Sequence, residues 1–151
     1  PALMDAGGLT VELISDDVHV SRPVVRLAWR LFGGDRCICV TDGMRTVGLP
    51  EGRYEYGGRQ FESRGGAARY LDGTLIGTSI PLLEIVKRFH RFTGCSLAEA
   101  VDGATRLPAR LLGVEDRLGS IAAGRDADLV ILDGDLDVRA TIVGGRVVWE
   151  G

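Results

Sequence analysis

The first indication of the fold is the stretch of residues 11–19, which reads VELISDDVH. Residues 11–15 form a short, mostly apolar run of the length and composition that is typical of a buried strand. Polar side chains follow at once at Asp16, Asp17 and His19. The stretch therefore predicts a strand that presents polar groups at its C-terminal end.

A helix and a second strand follow this stretch. Ser21 stands where an N-cap is expected, apolar residues then recur at helical spacing, and Gly33 ends the pattern. Residues 37–40 are almost entirely apolar, which suits a strand buried on both faces of a parallel sheet, and Asp42 comes shortly after them. Strand, helix and strand in this order predict a β-α-β unit with polar residues at the C-terminal ends of both strands.

The middle of the chain changes from a β pattern to a helical one. Residues 51–72 contain aromatic and polar residues beside paired glycines, which predicts a β-hairpin excursion over the site. Helical spacing returns after Ser79 and ends at Gly94, and the spacing of Ser96 and Glu99 is that of a capping box. We therefore expect the excursion to be followed by two adjacent helices.

Residues 118–151 form a distinct, β-rich tail. Gly144 and Gly145 are typical of a two-residue hairpin turn. We divide the chain into an α/β part, residues 1–117, and this β tail. Two parallel strands cannot close a sheet, and a few tail strands would leave free edges, so neither part is expected to be complete by itself.

Composition excludes several classes of function. The 151 residues are 45% hydrophobic and carry a formal net charge of −3 with both signs interspersed, which disfavours nucleic acid or an anionic membrane as a partner. No apolar run approaches the roughly 20 residues that a membrane span requires. The odd number of cysteines indicates a reducing compartment, so we predict a cytoplasmic protein. Cys37 and Cys39 are too closely spaced for structural zinc and are predicted to be core residues.

Four segments carry a resemblance to a known family. Residues 118–130, LGSIAAGRDADLV, resemble the segment by which amidohydrolases leave their barrel for a small β-sandwich. Residues 15–20, SDDVHV, residues 40–43, VTDG, and residues 72–79, DGTLIGTS, resemble three motifs of the N-acetylglucosamine-6-phosphate deacetylase family in the same order. The chain is therefore similar to the C-terminal part of such an enzyme.

The resemblance implies both a fold and a reaction. The fold class is α/β, with the last strands and helices of a metal-dependent hydrolase (β/α)8 TIM barrel in residues 1–117 and the C-terminal strands of a β-sandwich in residues 118–151. The implied reaction converts N-acetyl-D-glucosamine 6-phosphate, a small-molecule substrate, to D-glucosamine 6-phosphate and acetate. The complete enzyme is expected to be a homodimer.

The resemblance also implies one divalent metal ion, zinc or iron, in the complete enzyme. In the family a glutamate and two histidines from earlier strands hold it. The histidines of this chain, His19 and His90, are not assigned to that ligand set. We therefore expect the isolated segment to bind no such ion by itself and to be inactive.

Asp42 is the predicted catalytic residue. At the end of a buried strand its carboxylate would act as general base towards metal-bound water and then as general acid towards the leaving amine. Alternatively, it accepts local backbone amides in the turn before Gly43. The residues alone leave these two interpretations roughly even, and the family resemblance favours catalysis.

His19, Leu75, Ile76 and Gly77 are the predicted substrate-binding residues. By resemblance His19 lines the sugar pocket, although histidines at such positions are more often satisfied by neighbouring backbone. The residues from Leu75 to Gly77 precede a predicted helix N-terminus, where free amides favour anionic or hydroxyl-bearing ligands, but an ordinary loop is the alternative. The family usually has serine where Ile76 stands, so only backbone contacts carry over there.

Other polar residues receive weaker interpretations. Asp16 and Asp17 are adjacent, so their side chains should point to opposite faces and cannot form a catalytic pair. The family usually has glycine where Asp17 stands. His90 lies among basic residues and is predicted on a solvated helix face. Phosphate recognition is undecided among five arginines: Arg45, Arg53, Arg59, Arg64 and Arg69.

Two other functions are open. The chain would fit another amidohydrolase, such as an N-acyl amino acid deacetylase or a cyclic-amide hydrolase, although the motif from Asp16 to His19 disfavours this. It would also fit a non-catalytic fragment that acts only in association, because the metal ligands are not among its residues.

Overall fold

The computed structural model describes residues 8–151 and begins with the predicted β-α-β unit. Strands β1 (Val11–Leu13) and β2 (Cys37–Cys39) pair in parallel, with Val11 opposite Cys37. Helix α1 (Arg22–Phe32) connects them. Both strands are shorter than the apolar runs that predicted them, but the order and the parallel pairing are confirmed.

The N-terminus of α1 is capped by a different residue from the one predicted. Ser21 occupies the N-cap position, but its side chain makes no capping hydrogen bond. Instead, the backbone amide of Arg22 donates to Asp17 Oδ1 at 2.7 Å. Ser21 is thus at the predicted position, but its side chain does not cap the helix, because Pro23 has no N–H and the amide of Val24 donates to the Ser21 carbonyl. The carboxylate of Asp17 satisfies the amide of Arg22 and complements the helix dipole.

The excursion is an antiparallel sheet of four strands. Strands β3 (Gly52–Tyr56), β4 (Arg59–Arg64), β5 (Ala67–Tyr70) and β6 (Leu75–Thr78) pair in sequence order. The first turn places Gly57 and Gly58 at φ 60° and 76°, a conformation that favours glycine at both positions of a tight hairpin. The predicted hairpin is thus confirmed, and it continues through β6 towards the site.

Helices α2 (Leu82–Thr93), α3 (Leu97–Asp102) and α4 (Arg106–Leu111) follow the sheet. The capping box at Ser96 and Glu99 is present as predicted. Helices α1 and α2 pack on the parallel pair, and their shared core is a cluster of buried apolar side chains that includes Val25, Ile85 and Phe89. Between residues 8 and 151, no helix is long and apolar enough to cross a membrane.

The tail forms a sheet of its own. Strands β7 (Leu129–Leu132), β8 (Val138–Val143) and β9 (Arg146–Glu150) are antiparallel in the order β7-β8-β9. The predicted turn is confirmed, with Gly144 and Gly145 at φ 55° and 77°. Large apolar side chains of this sheet are exposed, among them Val130, Val147 and Trp149. The protein is therefore α/β. Among the described residues, the apolar side chains around the parallel pair are well buried, whereas many of those on the tail sheet are exposed.

Candidate functional site

The candidate site lies at the edge of the parallel pair where β1 and β2 end. The loop that contains Asp16 and His19 follows β1, and Asp42 follows β2. Because the two strands are parallel neighbours, their C-terminal ends share one edge of the sheet. The polar residues predicted at the two strand ends are thus brought to the same side of the molecule.

In the first loop, His19 is held by a buried carboxylate. Asp16 Oδ2 lies 2.6 Å from His19 Nδ1, and the side chain of Asp16 is 2% exposed. Asp16 Oδ1 accepts the backbone amides of Val18 at 2.9 Å and His19 at 2.7 Å. Asp17 is exposed and accepts the amide of Arg22, so the two adjacent carboxylates have separate partners and do not form a pair. The sequence indicated that Asp16 and Asp17 diverge but did not indicate that Asp16 binds the histidine.

In the second loop, the carboxylate of Asp42 is free of local hydrogen bonds. Asp42 is exposed, and its side chain accepts no hydrogen bond from any residue between Gly8 and Gly151. The amide of Gly43 donates to Thr41 Oγ1 at 3.2 Å instead. This geometry disfavours the alternative in which Asp42 serves only to cap the turn.

The backbone of Asp42 is strained and is held by β6. Its φ of 47° lies in the left-handed region, which is unfavourable for a residue other than glycine. The amide of Thr78 donates to the Asp42 carbonyl at 3.0 Å, and Thr78 Oγ1 donates to the Thr41 carbonyl at 2.9 Å. Met44 N donates in turn to the Thr78 carbonyl at 2.8 Å. These bonds form a bridge from β6 that fixes the direction in which the Asp42 side chain leaves the main chain.

Gly77 makes this bridge possible. It has φ 140°, and a Cβ placed on it would lie 2.5 Å from the Asp42 carbonyl oxygen. Any side chain there would push β6 away from the second loop. Leu75 and Ile76, which precede it, are half-buried strand residues. A helix follows them as predicted, but α2 begins only at Leu82, and Leu75 and Gly77 pair with β5. These residues therefore do not present the free amides of a helix N-terminus.

A buried hydroxyl cluster joins the excursion to the second loop. Ser63 Oγ donates to Ser79 Oγ at 2.7 Å, and Ser79 Oγ lies 2.8 Å from Thr46 Oγ1. Thr46 and Ser63 are buried. Sequence reasoning missed this cluster, because three ordinary hydroxyl residues from three separate segments carry no local signal.

Two of the candidate phosphate-binding arginines already have partners. Arg59 forms an ion pair with Asp72 at 3.0 Å, and its guanidinium lies 3.7 Å from the centre of the Tyr70 ring. Arg69 Nη1 donates to the Gly73 carbonyl at 3.1 Å. These contacts lie within the excursion sheet and give both residues a structural role.

His90 is not on a solvated face. Its ring Nδ1 is 2.7 Å from the Cys95 carbonyl, and the residue is half-buried at the C-terminal end of α2. The prediction was wrong because the chain turns back at Gly94 and covers that side of the helix.

The described residues do not form a metal site by themselves. Between residues 8 and 151, no three histidine, cysteine, aspartate or glutamate side chains lie close enough together to hold a metal ion. Cys37, Cys39 and Cys95 are free thiols in the core. Burial raises the pKa of Cys37 to about 11 and that of Cys39 to about 12, so both remain protonated near neutral pH. The expectation that the ligands come from earlier strands stays a prediction.

Comparison with known proteins places this geometry in context. Residues 6–148 match the Amidohydrolase family. The chain is similar to N-acetylglucosamine-6-phosphate deacetylase of Bacillus subtilis, with 37% identity over 142 residues that cover 94% of this chain and 36% of the relative.

Two solved structures have the same fold over almost the whole chain. The crystal structure of N-acetylglucosamine-6-phosphate deacetylase from Thermotoga maritima has a TM-score of 0.90 at 37% identity and covers 99% of this chain and 41% of that one. An aspartate-to-alanine mutant of the Mycobacterium smegmatis deacetylase, in complex with N-acetyl-D-glucosamine-6-phosphate, has a TM-score of 0.88 at 32% identity, covering 97% and 39%. The chain thus spans 36% to 41% of the length of these three proteins.

Proposed function

The chain belongs to the amidohydrolase family, and we propose that it is part of an enzyme that hydrolyses N-acetyl-D-glucosamine 6-phosphate to D-glucosamine 6-phosphate and acetate. The observation that carries the proposal is the geometry of Asp42. Its carboxylate is exposed and free of local hydrogen bonds, while its strained backbone is held by β6. The similarity to deacetylases of three organisms supports this substrate over other amides.

We assign proton transfer to Asp42. As water attacks the acetamide carbonyl carbon, Asp42 takes a proton from that water, and the proton then passes to the nitrogen as the C–N bond breaks. The acid product gives its remaining proton to the amine, so acetate and the protonated amine leave and the carboxylate of Asp42 is regenerated. A group that must take and return a proton needs an unoccupied oxygen, and the absence of a local hydrogen-bond donor to Asp42 among residues 8–151 supports this role.

We assign substrate contacts to His19 and to the residues from Leu75 to Gly77. His19 follows β1 and lies at the same edge of the sheet as Asp42. Gly77 is in contact with the main chain of Asp42, so β6 would bring bound substrate close to the carboxylate. Because Leu75 and Ile76 are strand residues, their contribution would come from the half-buried face and free backbone groups of β6.

The amidohydrolase family is generally metal-dependent. A bound divalent ion, which we propose to be zinc or iron, supplies Lewis-acid chemistry to such hydrolases. Its ligands would lie in parts of the enzyme beyond these residues, together with the remaining barrel strands that complete β1 and β2. Residues 118–151 would then belong to the β-sandwich, and the complete enzyme would be a cytoplasmic homodimer.

The test is a substrate comparison with the full-length protein. We expect metal-dependent release of acetate from N-acetyl-D-glucosamine 6-phosphate with a kcat/KM far above that for N-acetyl amino acids or cyclic amides. Preference for either of those two substrates would instead assign the chain to another amidohydrolase activity. A metal-loaded, folded protein that hydrolysed none of them would favour the non-catalytic alternative.

A further inference from the structure

The contact between Asp16 and His19 fixes the hydrogen on the histidine ring. Asp16 Oδ1 accepts two backbone amides, and Asp16 Oδ2 faces His19 Nδ1 at 2.6 Å. An ionised carboxylate has no hydrogen to give, so every hydrogen in these bonds comes from a partner. Nδ1 of His19 must therefore carry a hydrogen in either charge state of the ring, and Nε2 is the nitrogen left for other contacts.

The surroundings of Asp16 keep it ionised. Burial acts to raise the pKa of Asp16, but the hydrogen bonds from His19 and from the amide of Val18 outweigh burial and hold the pKa below its usual value. The backbone at Asp16 is held as well, because Arg88 Nη1 donates to its carbonyl oxygen at 2.8 Å. Arg88 Nε donates to Glu84 Oε1 at 2.7 Å, so α2 holds the loop at Asp16.

We propose that Asp16 is a positioning residue that holds His19 in the tautomer with hydrogen on Nδ1 and leaves Nε2 to contact the substrate. The identity of that substrate rests on the proposed function, whereas the tautomer does not. A neutral His19 held in this way accepts a hydrogen bond through Nε2 and so suits a sugar hydroxyl. The side chain of His19 is 14% exposed, so only a small part of its surface is open to a ligand.

The first measurement is the tautomer itself. In full-length protein with ¹⁵N-labelled histidine, we expect the nitrogen shifts of neutral His19 to report hydrogen on Nδ1. In Asp16→Asn the introduced amide can keep its oxygen on the backbone and turn its NH₂ group towards Nδ1, so the tautomer should change to hydrogen on Nε2. Asp17→Asn is the matched control, because Asp17 is adjacent, exposed and bonded to Arg22 rather than to His19.

The second measurement separates positioning from general support of the loop. We expect Asp16→Asn to raise KM for N-acetyl-D-glucosamine 6-phosphate by about 10- to 100-fold, by analogy with the carboxylates that orient metal-binding histidines. If Asp16 acts through His19, the same substitution should change KM little further in a His19→Asn background. If the role of Asp16 were purely structural, Asp16→Asn would raise KM by the same factor in the His19→Asn background as in the wild type.

The outcomes distinguish this inference from the proposed function. Hydrogen on Nε2 in the wild-type protein, an unchanged tautomer in Asp16→Asn, or a full additional loss in the double variant would each overturn the positioning role. A wild-type protein with the expected tautomer but no deacetylase turnover would instead overturn the proposed substrate. The wild-type tautomer requires no variant, so the test does not depend on whether Asp16→Asn folds.

Discussion

The loops after β1 and β2 hold their functional residues in opposite ways. After β1, the side chain of His19 is fixed by Asp16, which is buried and has both carboxylate oxygens in hydrogen bonds. After β2, the main chain is fixed by β6, and the carboxylate of Asp42 is left free of partners among the described residues. The difference suits the roles we propose, because a group that orients a ligand gains from immobility, whereas a group that transfers a proton needs a vacant oxygen.

The largest expected effect tests the free carboxylate. In the full-length enzyme, Asp42→Asn should lower kcat by about 10²- to 10⁴-fold, because an amide cannot take and return a proton. Metal content and substrate binding should change far less. Steady-state kinetics with metal analysis provides the measurement.

His19→Asn is the contrast for the first loop. It should raise KM at least as clearly as it lowers kcat, since His19 is proposed to bind the substrate. Near wild-type kcat in Asp42→Asn would refute proton transfer, and loss of metal in His19→Asn would refute the assignment of His19 to the substrate.

The next effect tests the fixed main chain of the second loop. A Cβ on Gly77 would lie 2.5 Å from the Asp42 carbonyl oxygen, so Gly77→Ala must displace β6 or the loop. We expect about 3 kcal/mol lower stability, and a displaced Asp42 should cost about 10²-fold in kcat. Urea unfolding and kinetics measure the two effects.

Gly73→Ala is the matched control for this experiment. Gly73 also has a positive φ, 89°, but a Cβ there meets nothing within 4 Å. We expect Gly73→Ala to lower stability only by the conformational strain of about 1–2 kcal/mol and to leave kcat unchanged. Equal losses of kcat in the two variants would show that close approach to Asp42 is not what matters at Gly77.

A smaller effect concerns the capping residue of the first loop. Asp17 has φ 67° and accepts the amide of Arg22, so Asp17→Ala removes a helix cap and keeps an unfavourable conformation. We expect a loss of about 1–2 kcal/mol in urea unfolding. Asp17→Gly should cost less, because glycine relieves the strain while losing the cap. If the two variants were equally stable, strain at this position would be negligible.

The smallest effect is at Ser15, beside Asp16. Its hydroxyl is fully buried and has no hydrogen-bond partner among residues 8–151. Because an unpaired buried hydroxyl is unfavourable, we expect Ser15→Ala to leave turnover unchanged and to raise stability by up to about 1 kcal/mol. A clear loss of stability in the full-length protein would reveal a partner for this hydroxyl elsewhere in the enzyme.

The structure also explains a departure from the family pattern that the sequence could only note. The family usually has glycine where Asp17 stands, and the left-handed φ at this position is the conformation that glycine adopts most easily. Aspartate tolerates that conformation better than most residues. Here its carboxylate also replaces the cap that Ser21 was expected to provide.

The sequence by itself determined the β-α-β unit, the capping box at Ser96, the hairpin turn at Gly144 and the positions of Asp42 and His19 at strand ends. These features depend on residues close together in the chain, so spacing and residue type suffice to predict them. The sequence did not reveal the bond from Asp16 to His19, although they are three residues apart, because several loop conformations satisfy the same pattern.

Only the tertiary structure decided how Asp42 is held. Thr78 and Gly77 lie 36 and 35 positions further along the chain, and they reach Asp42 because three hairpin connections return β6 to the end of β2. The requirement for glycine at position 77 arises from the closeness of another backbone, which is a property of the folded molecule. Local preferences cannot encode such a contact, since it exists only after segments distant in sequence have packed together.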